Sequence, residues 1–472
     1  MNPLDQYIKD KTVTVMGLGL HGGGLSVTQW LLQHAKHVVV TDLKTSDQLK
    51  PSIEKLEVVA EQLGAASKLI YVFGEHREED FENTDLVIKN PDVPVDSPYI
   101  LHAKAHDVPV YNEASLFFLL CEKPIIGITG SKGKSTTTSM LGDMIHTTYP
   151  TVPVAGNIKI TPMFEIIDVV NEDPTIPFVV LELSSWQLED MDAIHRSPHV
   201  GVLTNIFPEH LNRHKTMENY IAAKSVIEKY QSTDDVFVYN ADNEYAATLA
   251  DTNKAQKLAF STRKSVEKGV YWLDDELREV LDGEEKTILH AEDIPLVGEH
   301  NRANAAAAAL VARLFDVTKE QIVKAIRSYK ALPARMQCVG EFQKRIWYND
   351  TTATAPDAAQ FALEAFDEKS FLIAGGFDKK LPVDDFADTI VKKALFVALL
   401  PGEGSAMLEK ALHDRAYAAY AHTPTMDEAV ALALEKTPEK GVVLLSPGFS
   451  SFASFTHEFE RGDFFEKAVR AL

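Results

Sequence analysis

The stretch Pro124–Thr138, PIIGITGSKGKSTTT, decides the fold class. An apolar run typical of a buried strand leads into glycines, lysines and hydroxyl residues, and a helical pattern follows. The glycines let backbone N–H groups face a phosphate, while Lys134 offers a charge and Ser135 a hydroxyl for Mg²⁺. This pattern predicts a phosphate-binding loop with ATP as its ligand; a plain surface loop is the alternative. The spacing is a variant, because Gly127 lies one residue before the usual first glycine of G-x-x-x-x-G-K-[ST].

Two other stretches begin in the same way, with an apolar run, a glycine turn and a helical pattern. They start at Thr12–Met16 and at Phe371–Ala374. Strands that alternate with helices predict parallel sheets covered on both faces, and therefore an α/β protein. The charged segment 251–292 is expected to form an antiparallel excursion. The length of 472 residues predicts three domains. Their expected limits are 1–121, 122–332 and 333–472.

Composition excludes several classes of protein. The chain has 47 Lys+Arg against 69 Asp+Glu, a formal net charge of −22, which disfavours binding to nucleic acid or an anionic membrane. The first residues lack the pattern of a signal peptide, and no apolar run is long enough to span a membrane. Two cysteines cannot build a disulfide framework and fit a reducing compartment. We expect a soluble, cytoplasmic protein.

Three residues in the middle of the chain are candidates for metal and phosphate chemistry. Glu182 ends an apolar strand, where burial is costly unless the carboxylate holds a cation or a partner; an acid that reaches solvent is the alternative. His210 follows a strand end, where α/β active sites cluster, although it could be a structural loop histidine. Lys224 lies in a predicted helix, Met217–Gln231, and taken alone resembles a solvated lysine.

Polar residues in the later part of the chain are further candidates. Asn301 precedes an alanine-rich helix and could cap it or hydrogen-bond a base. Asp350 follows a strand and suits a ribose or magnesium contact, or a simple turn. The segments Ser446–Ser451 and Phe459–Gly462 offer hydroxyls and backbone donors, with an ordinary Pro/Gly/Ser turn as the alternative.

The pattern Gly17-x-Gly-x-x-Gly22 supports a competing hypothesis. Asp42 lies about 20 residues further on, after a predicted strand, where dinucleotide-binding folds place the acid that binds ribose. The glycine turn and Asp42 together would suit a dinucleotide-dependent oxidoreductase. The glycines could equally cradle the diphosphate of another nucleotide.

Taken together, the motifs resemble the Mur ligases of bacterial cell-wall synthesis. The resemblance extends over the whole chain and is carried by GITGSKGKSTTT, LELSSWQLE, EHLNRH followed by AAK, GEHNRANAAAA, and an ending with SPG and FERG. LELSSxQL and the ending favour the member that adds glutamate. The resemblance implies a Rossmann-like UDP-binding domain, a central P-loop ATPase α/β domain and a C-terminal Rossmann-like domain.

The implied reaction is the ATP-dependent addition of glutamate to UDP-N-acetylmuramoyl-L-alanine through an acyl phosphate, with D-Glu favoured over L-Glu. Mg²⁺ is the implied cofactor, and a monomer is expected. Another Mur-type ligase, or a non-catalytic nucleotide-binding relative, is the alternative.

The resemblance also implies roles for individual residues. The catalytic residues would be Lys134, Glu182, His210 and Lys224. The metal ligands would be Ser135, Glu182, His210 and Lys224 as a carbamate. ATP would be bound by Gly130, Ser131, Lys132, Gly133, Lys134, Ser135, Thr136, Asn301, Arg335 and Asp350. The UDP-substrate would be bound by Gly17, Gly19, Gly22, Asp42, Lys44, Asn90, Asn157 and His210. Glutamate would be bound by Thr354, Lys379, Ser451 and Phe459.

Five features differ from the usual family pattern, and one of them is the ending Thr456-His-Glu-Phe459, where the aromatic is displaced by one residue. Thr352 stands where a lysine often lies, which removes one cation from the expected glutamate site. Glu209 replaces an aspartate, Asn90-Pro-Asp92 replaces Ser-Pro-Gly, and Lys159 replaces a glycine.

Overall fold

The computed structural model describes residues 3–20, 22–158, 161–378, 380–452 and 454–472, which form three sheets and their flanking helices. The strands are β1 Thr12–Met16, β2 His37–Asp42, β3 Leu69–Phe73, β4 Leu86–Lys89, β5 Val110–Tyr111, β6 Ile125–Thr129, β7 Val154–Gly156, β8 Val179–Glu182, β9 Val200–Leu203, β10 Val236–Asn240, β11 Gln256–Ser261, β12 Gly269–Leu273, β13 Glu276–Val280, β14 Glu285–His290, β15 Gln337–Phe342, β16 Arg345–Asn349, β17 Ser370–Ala374, β18 Ala394–Leu399, β19 Tyr420–His422 and β20 Val442–Leu445. The helices are α1 Pro3–Tyr7, α2 Gly23–His34, α3 Ser46–Gln62, α4 Glu79–Glu82, α5 Pro98–Ala105, α6 Glu113–Leu120, α7 Lys134–His146, α8 Ile167–Glu172, α9 Ser185–Met191, α10 Leu211–His214, α11 Met217–Lys229, α12 Glu244–Thr252, α13 Glu299–Leu314, α14 Lys319–Ser328, α15 Pro356–Glu364, α16 Asp384–Lys393, α17 Glu403–Asp414, α18 Met426–Lys436 and α19 Glu458–Arg470.

The first sheet has the order β3-β2-β1-β4-β5, and all its strand pairs are parallel. The strand order reverses between β1 and β4, so a crevice opens at their carboxyl ends. The glycine turn 17–22 follows β1, and Asn90 follows β4. The fold therefore brings these two segments to the place where open α/β sheets bind ligands.

The second sheet has nine strands in the order β14-β13-β12-β11-β10-β9-β6-β8-β7. Strand β6, which precedes the phosphate loop, lies between β8 and β9 and is parallel to both. The expectation of an antiparallel excursion over 251–292 was wrong for β11 and β12, which continue the sheet in parallel. Both strands contain four consecutive buried residues, and such continuous apolar runs are typical of parallel strands.

The third sheet has the order β15-β16-β20-β17-β18-β19. It is parallel except for the antiparallel pair β15–β16 at one edge. Strand β16 leads to Asp350, and β20 leads to Ser446. These two residues consequently emerge from neighbouring strands at the same edge of the sheet.

The chain divides into two compact units. The first comprises 1–273, 278–287 and 306–322, and the second comprises 274–277, 288–305 and 323–472. Apolar packing unites the first two sheets within the first unit: the ring of Phe164 lies 5.1 Å from that of Trp30 and 6.4 Å from that of Phe117. The predicted domain limits stay a prediction. No helix among the described residues is long and apolar enough to cross a membrane.

Candidate active site

The phosphate loop lies between β6 and α7, the arrangement that the sequence predicts. Gly130 has φ +153°, and a Cβ there would collide with Oγ1 of Thr204. Gly133 is left-handed, with φ 84°, and begins α7 as its N-cap. Ser135 is buried in the first turn, next to the half-buried Thr136. The loop thus presents backbone N–H groups at the N-terminus of a 13-residue helix, where anions bind.

The segment that follows β9 fixes the shape of this loop. Asn205 accepts hydrogen bonds from the N–H of Ser131 through its carbonyl oxygen and from the N–H of Lys132 through Oδ1, both at 2.9 Å. Thr204 Oγ1 donates to the Lys132 carbonyl oxygen at 2.6 Å. The hydroxyls of Ser131 and Tyr220 lie 2.9 Å apart. The loop is therefore held in shape by protein contacts.

Two lysines converge on the carbonyl oxygen of Gly130. Lys134 Nζ donates to it at 2.8 Å, and Lys224 Nζ donates to it at 2.7 Å. The Lys224 side chain is 1% exposed and lies over the ring of Tyr220 at 4.9 Å, so the alternative of a solvated lysine was wrong. Burial and the nearby charge of Lys134 hold the pKa of Lys224 well below its ordinary value. A lowered pKa favours the neutral amine, which is the nucleophilic form of a lysine.

Glu209 supplies a negative charge beside these lysines. Its Oε1 lies 2.8 Å from Lys132 Nζ, and its Oε2 lies 4.0 Å from His210 Nε2. Burial acts to raise the pKa of Glu209, but the charges of Lys132, His210 and Lys134 outweigh it and lower that pKa. His210 is 38% exposed at its side chain and packs edge-on against Trp186. The sequence analysis noted Glu209 only as a departure from a motif and assigned it no role.

Glu182 carries an unsatisfied carboxylate oxygen. The residue is 1% exposed, so the alternative of an acid that reaches solvent was wrong. Its Oε1 accepts a hydrogen bond from Asn157 Nδ2 at 2.9 Å, whereas its Oε2 is buried and has no hydrogen-bond partner in the structure. A buried carboxylate oxygen without a partner is costly, and a bound cation removes that cost. The donor set around Glu182 therefore fits a hard divalent ion such as Mg²⁺.

In the first sheet, Asp42 closes the glycine turn. Its carboxylate is 5% exposed and accepts hydrogen bonds from the N–H of Gly19 at 3.2 Å and from the N–H of Lys44 at 2.9 Å. Gly17, Gly19 and Gly22 all have positive φ. The Lys44 side chain is exposed beyond this turn.

Across the crevice, the loop after β4 forms the second wall. Asn90 Oδ1 accepts from the N–H of Asp92 at 3.0 Å, which folds the loop into a tight turn. A cavity here is lined by Gly17, Gly23, Asn90 and Glu113, among others. Burial raises the pKa of Glu113, and a hydrogen bond from Gln187 partly offsets this.

Charged side chains join the Asn90 loop to α9 and α10, the helices that follow Glu182 and His210 along the chain. Arg213 donates to the carbonyl oxygens of Asp92 at 2.8 Å and Val93 at 3.1 Å. The buried Lys89 forms an ion pair with Asp190 of α9 at 2.6 Å. The sequence analysis quoted Arg213 within a motif but gave it no role, because its partners lie far away along the chain.

In the second unit, Asn301 lies in the first turn of α13. The helix begins at Glu299, so the alternative that Asn301 is its N-cap was wrong. Asn301 Nδ2 donates to the Val297 carbonyl oxygen at 2.8 Å, and Oδ1 accepts from Asn304 Nδ2 at 3.2 Å. These bonds fix the orientation of a side chain that is 3% exposed.

Asp350 braces the turn that carries Arg335. Its carboxylate accepts from the Met336 N–H at 3.0 Å and from the Ser446 hydroxyl at 2.8 Å. Residues 334 and 336 have positive φ, and Arg335 between them is exposed. Asp350 therefore determines where this guanidinium projects.

Arg461 is a buried cation that the sequence analysis did not assign, although it lies in the quoted FERG. It donates to Thr351 Oγ1 at 3.0 Å, to the Thr351 carbonyl oxygen at 2.9 Å and to the Phe449 carbonyl oxygen at 3.1 Å. Burial lowers its pKa to about 9. Arg461 thus joins the segments that lead to Thr354 and to the buried Ser451.

The two remaining glutamate-site predictions are Phe459 and Lys379. Phe459 is half-buried and is the second residue of α19. Lys379, like Lys159, lies outside the described residues.

Comparison with known proteins decides the family. Models described as "Mur ligase MurD-like, N-terminal domain", "Mur ligase middle domain" and "Mur ligase, glutamate ligase domain" match residues 11–112, 128–312 and 334–449. A protein of Roseiflexus sp. (strain RS-1), named UDP-N-acetylmuramoylalanine--D-glutamate ligase, is 36% identical over 473 aligned positions, which cover 98% of this chain and 99% of the relative. The chain belongs to the Mur ligase family.

Other Mur ligases agree with this assignment. A protein of Enterococcus faecalis with the same name is 33% identical over 97% of this chain and 96% of its own length. Among solved structures, MurC of Thermotoga maritima has a TM-score of 0.61 at 18% identity and covers 98% of this chain and 99% of that one. MurF of the same organism, in complex with ADP, has a TM-score of 0.59 at 16% identity, with coverages of 92% and 96%. Because the sequence identities are this low, the two structures support the assignment of the fold and nothing more.

Membership in the Mur ligase family confirms the predicted family and the three-domain α/β fold. Mur ligases use ATP, which agrees with the predicted ligand of the phosphate loop. The model of the first domain spans the Gly17–Gly22 turn and Asp42. This segment therefore belongs to a Mur ligase domain, which counts against the dinucleotide-dependent oxidoreductase.

Proposed function

We propose that this protein joins D-glutamate to the alanyl carboxylate of UDP-N-acetylmuramoyl-L-alanine, with conversion of ATP to ADP and phosphate, during synthesis of peptidoglycan precursors. The full-length similarity to D-glutamate ligases supports the substrates. The observation that carries the reaction type is the convergence of Lys134 and Lys224 on the phosphate loop, where the buried charge of Glu182 also acts on Lys224.

A carboxylate is a poor electrophile, so amide formation requires activation. The alanyl carboxylate oxygen attacks the γ-phosphorus of ATP, and ADP leaves. The glutamate amine then attacks the carbonyl carbon of the acyl phosphate, loses a proton, and phosphate departs. Negative charge accumulates at the transferred phosphoryl group, and catalysis is mainly its neutralisation and positioning. Gly130 to Thr136 would hold the ATP phosphates, and Lys134 would face the terminal one.

Glu182, His210 and a carbamylated Lys224 would hold Mg²⁺, with Ser135 next to it. The unpartnered oxygen of Glu182 supports this assignment. The lowered pKa of Lys224 supports the carbamate, since a neutral amine adds to CO₂ and releases a proton. When bound, the ion neutralises phosphate charge and polarises the transferred group.

The other proposed contacts follow the placement described above. UDP would lie on the turn Gly17–Gly22 with Asp42 and Lys44, and Asn90 and Asn157 would contact the substrate. Asn301, Arg335 and Asp350 would serve the nucleotide. Thr354, Lys379, Ser451 and Phe459 would bind glutamate. The domain limits 1–121, 122–332 and 333–472, a monomeric state and a cytoplasmic location belong to the same proposal.

Phosphate release tests the function. The purified protein is supplied with ATP, Mg²⁺ and UDP-N-acetylmuramoyl-L-alanine, and with D-Glu, L-Glu or no amino acid. We expect rapid release with D-Glu alone, and its loss in Lys134→Ala. Equal rates in the three arms would refute the proposed function. Rapid release with UDP-N-acetylmuramate and L-alanine instead would identify another Mur-type ligase.

A further inference from the structure

Two histidines and a glutamate meet on the surface of the first sheet domain, in a cluster that the ligase reaction does not use. Glu82 ends the short helix α4, His102 lies on α5, and His106 follows the last turn of α5. In the described part of the chain, this is the one set of three His, Cys, Asp or Glu side chains whose ligand atoms all lie within 4.8 Å of one another. We propose that Glu82, His102 and His106 bind a divalent transition-metal ion, with Zn²⁺ as the best match.

The distances within the cluster suit such an ion. The two histidines approach the same carboxylate oxygen: Glu82 Oε2 lies 3.0 Å from His102 Nε2 and 3.5 Å from His106 Nε2. Zn²⁺ with bonds of about 2.0–2.1 Å in tetrahedral geometry separates its ligand atoms by about 3.3 Å. His102 lies on α5 and His106 is its C-cap, and the centroids of their rings are 4.4 Å apart.

The hydrogen bond of His106 points to a cation in particular. His106 Nδ1 lies 2.9 Å from the carbonyl oxygen of His102, which can only accept, so Nδ1 carries the proton. In the neutral ring, Nε2 then holds a lone pair, and this lone pair faces a carboxylate oxygen. Two acceptors face each other favourably only with a proton or a metal ion between them. A carbonyl partner on the far nitrogen is also the arrangement that orients histidines that bind metals.

The chemistry selects the class of ion. Two imidazole nitrogens and one carboxylate oxygen suit Zn²⁺ and its neighbours in the transition series, whereas Mg²⁺ sites are built mainly from oxygen ligands. The side chains are between 21% and 46% exposed, so a fourth position is open to water. A bound ion would link the ends of α4 and α5, which flank β4.

Calorimetric titration of untagged, metal-stripped protein with ZnCl₂, in saturating Mg²⁺ to occupy the proposed catalytic site, tests the proposal. The variants are His106→Ala and the near-isosteric Glu82→Gln. His422→Ala is a matched control, because His422 forms an exposed pair with Glu409 at 3.0 Å that belongs to no such set of three.

We expect one Zn²⁺ site that is weakened in both cluster variants and unchanged in the control. The Zn²⁺ affinity of each cluster variant should fall at least as much as the roughly 10–100-fold that is lost when a hydrogen-bond partner of a metal ligand is removed. Zn²⁺ should also raise the melting temperature of the wild type but not of His106→Ala, and ligase activity should persist in all variants. Equal Zn²⁺ affinity in the wild type, His106→Ala and Glu82→Gln would overturn the proposal.

Discussion

Replacing Lys89 by Met should destabilise the first unit strongly. The Lys89 side chain is 1% exposed, and its partner Asp190 is 10% exposed. Burial lowers the pKa of Lys89 and raises that of Asp190, while each charge partly offsets the effect on the other. Lys89→Met leaves the Asp190 carboxylate buried with Asn112 Nδ2 as its remaining donor at 2.9 Å. Removing one partner of a buried ion pair costs about 3–5 kcal/mol.

The same substitution removes a hydrogen bond from Lys89 Nζ to the Val93 carbonyl oxygen, now 3.0 Å long. Because its donor is charged, that bond contributes about 1.5–3 kcal/mol, and it helps to hold the loop that carries Asn90. We therefore expect the KM for the UDP-substrate to rise as well. The double variant Lys89→Met, Asp190→Leu removes both charges, and it should recover most of the lost stability because no uncompensated charge stays buried.

Urea unfolding followed by circular dichroism measures the change in free energy of unfolding, and initial rates give the KM. Lys55→Met is a matched control, because Lys55 lies on α3 with an exposed side chain and has no proposed role in the site. A loss below about 1 kcal/mol in Lys89→Met, the upper range for an exposed pair, would refute the reasoning. So would a double variant that is no more stable than Lys89→Met.

Three further outcomes follow from the site. Lys224→Ala should lose ligase activity and regain part of it in buffers that contain short carboxylic acids, measured by phosphate release; no effect of the acid would contradict the carbamate. Arg213→Ala should raise the KM for the UDP-substrate more than the KM for ATP, since it removes the contacts to Asp92 and Val93. The raised pKa of Glu113 means that its contribution to stability is complete below its ordinary pKa and is lost as the pH rises through the folded-state value. Glu113→Gln should therefore unfold at a higher temperature than the wild type at pH 8, and this advantage should shrink towards pH 5.

Local patterns predicted much of the fold. The apolar run Thr12–Met16 is a strand with those limits, and the run Phe371–Ala374 lies within the strand Ser370–Ala374. Continuous apolar runs identify buried parallel strands because side chains on both faces are covered. The helical pattern predicted after the glycines is α7, which begins at Lys134 directly after the left-handed Gly133. β11 and β12 were assigned the wrong orientation because strand direction depends on partners that are distant in sequence.

The candidate site also contains residues whose placement could be predicted from the sequence and residues whose placement could not. The phosphate loop was predictable, because its glycines and Lys134 are adjacent in sequence and their spacing reflects the chemistry. The burial of Lys224 was not, because it depends on packing against Tyr220 and the loop. Most partners of Arg213 and Arg461 are backbone carbonyl oxygens, which leave no trace in the identity of the residues that carry them. A phosphate-binding loop is therefore easier to predict from a single sequence than the side chains that hold the loop in place.

The charges at the site determine how ATP can bind. The chain as a whole has a formal net charge of −22. The charged side chains near the phosphate loop do not add up to a positive site by themselves. The positive charges of Lys132 and Lys134 are matched by the carboxylates of Glu182 and Glu209, while the lowered pKa of Lys224 reduces its own charge. A carbamate on Lys224 would add a negative charge. Attraction for the triphosphate must then come from the N–H groups of the loop, the α7 N-terminus and Mg²⁺.

We expect the affinity for ATP, measured by calorimetry, to fall at least tenfold when EDTA removes Mg²⁺. A tenfold change corresponds to about 1.4 kcal/mol of binding free energy. Unchanged affinity would mean that the protein alone supplies the compensating charge.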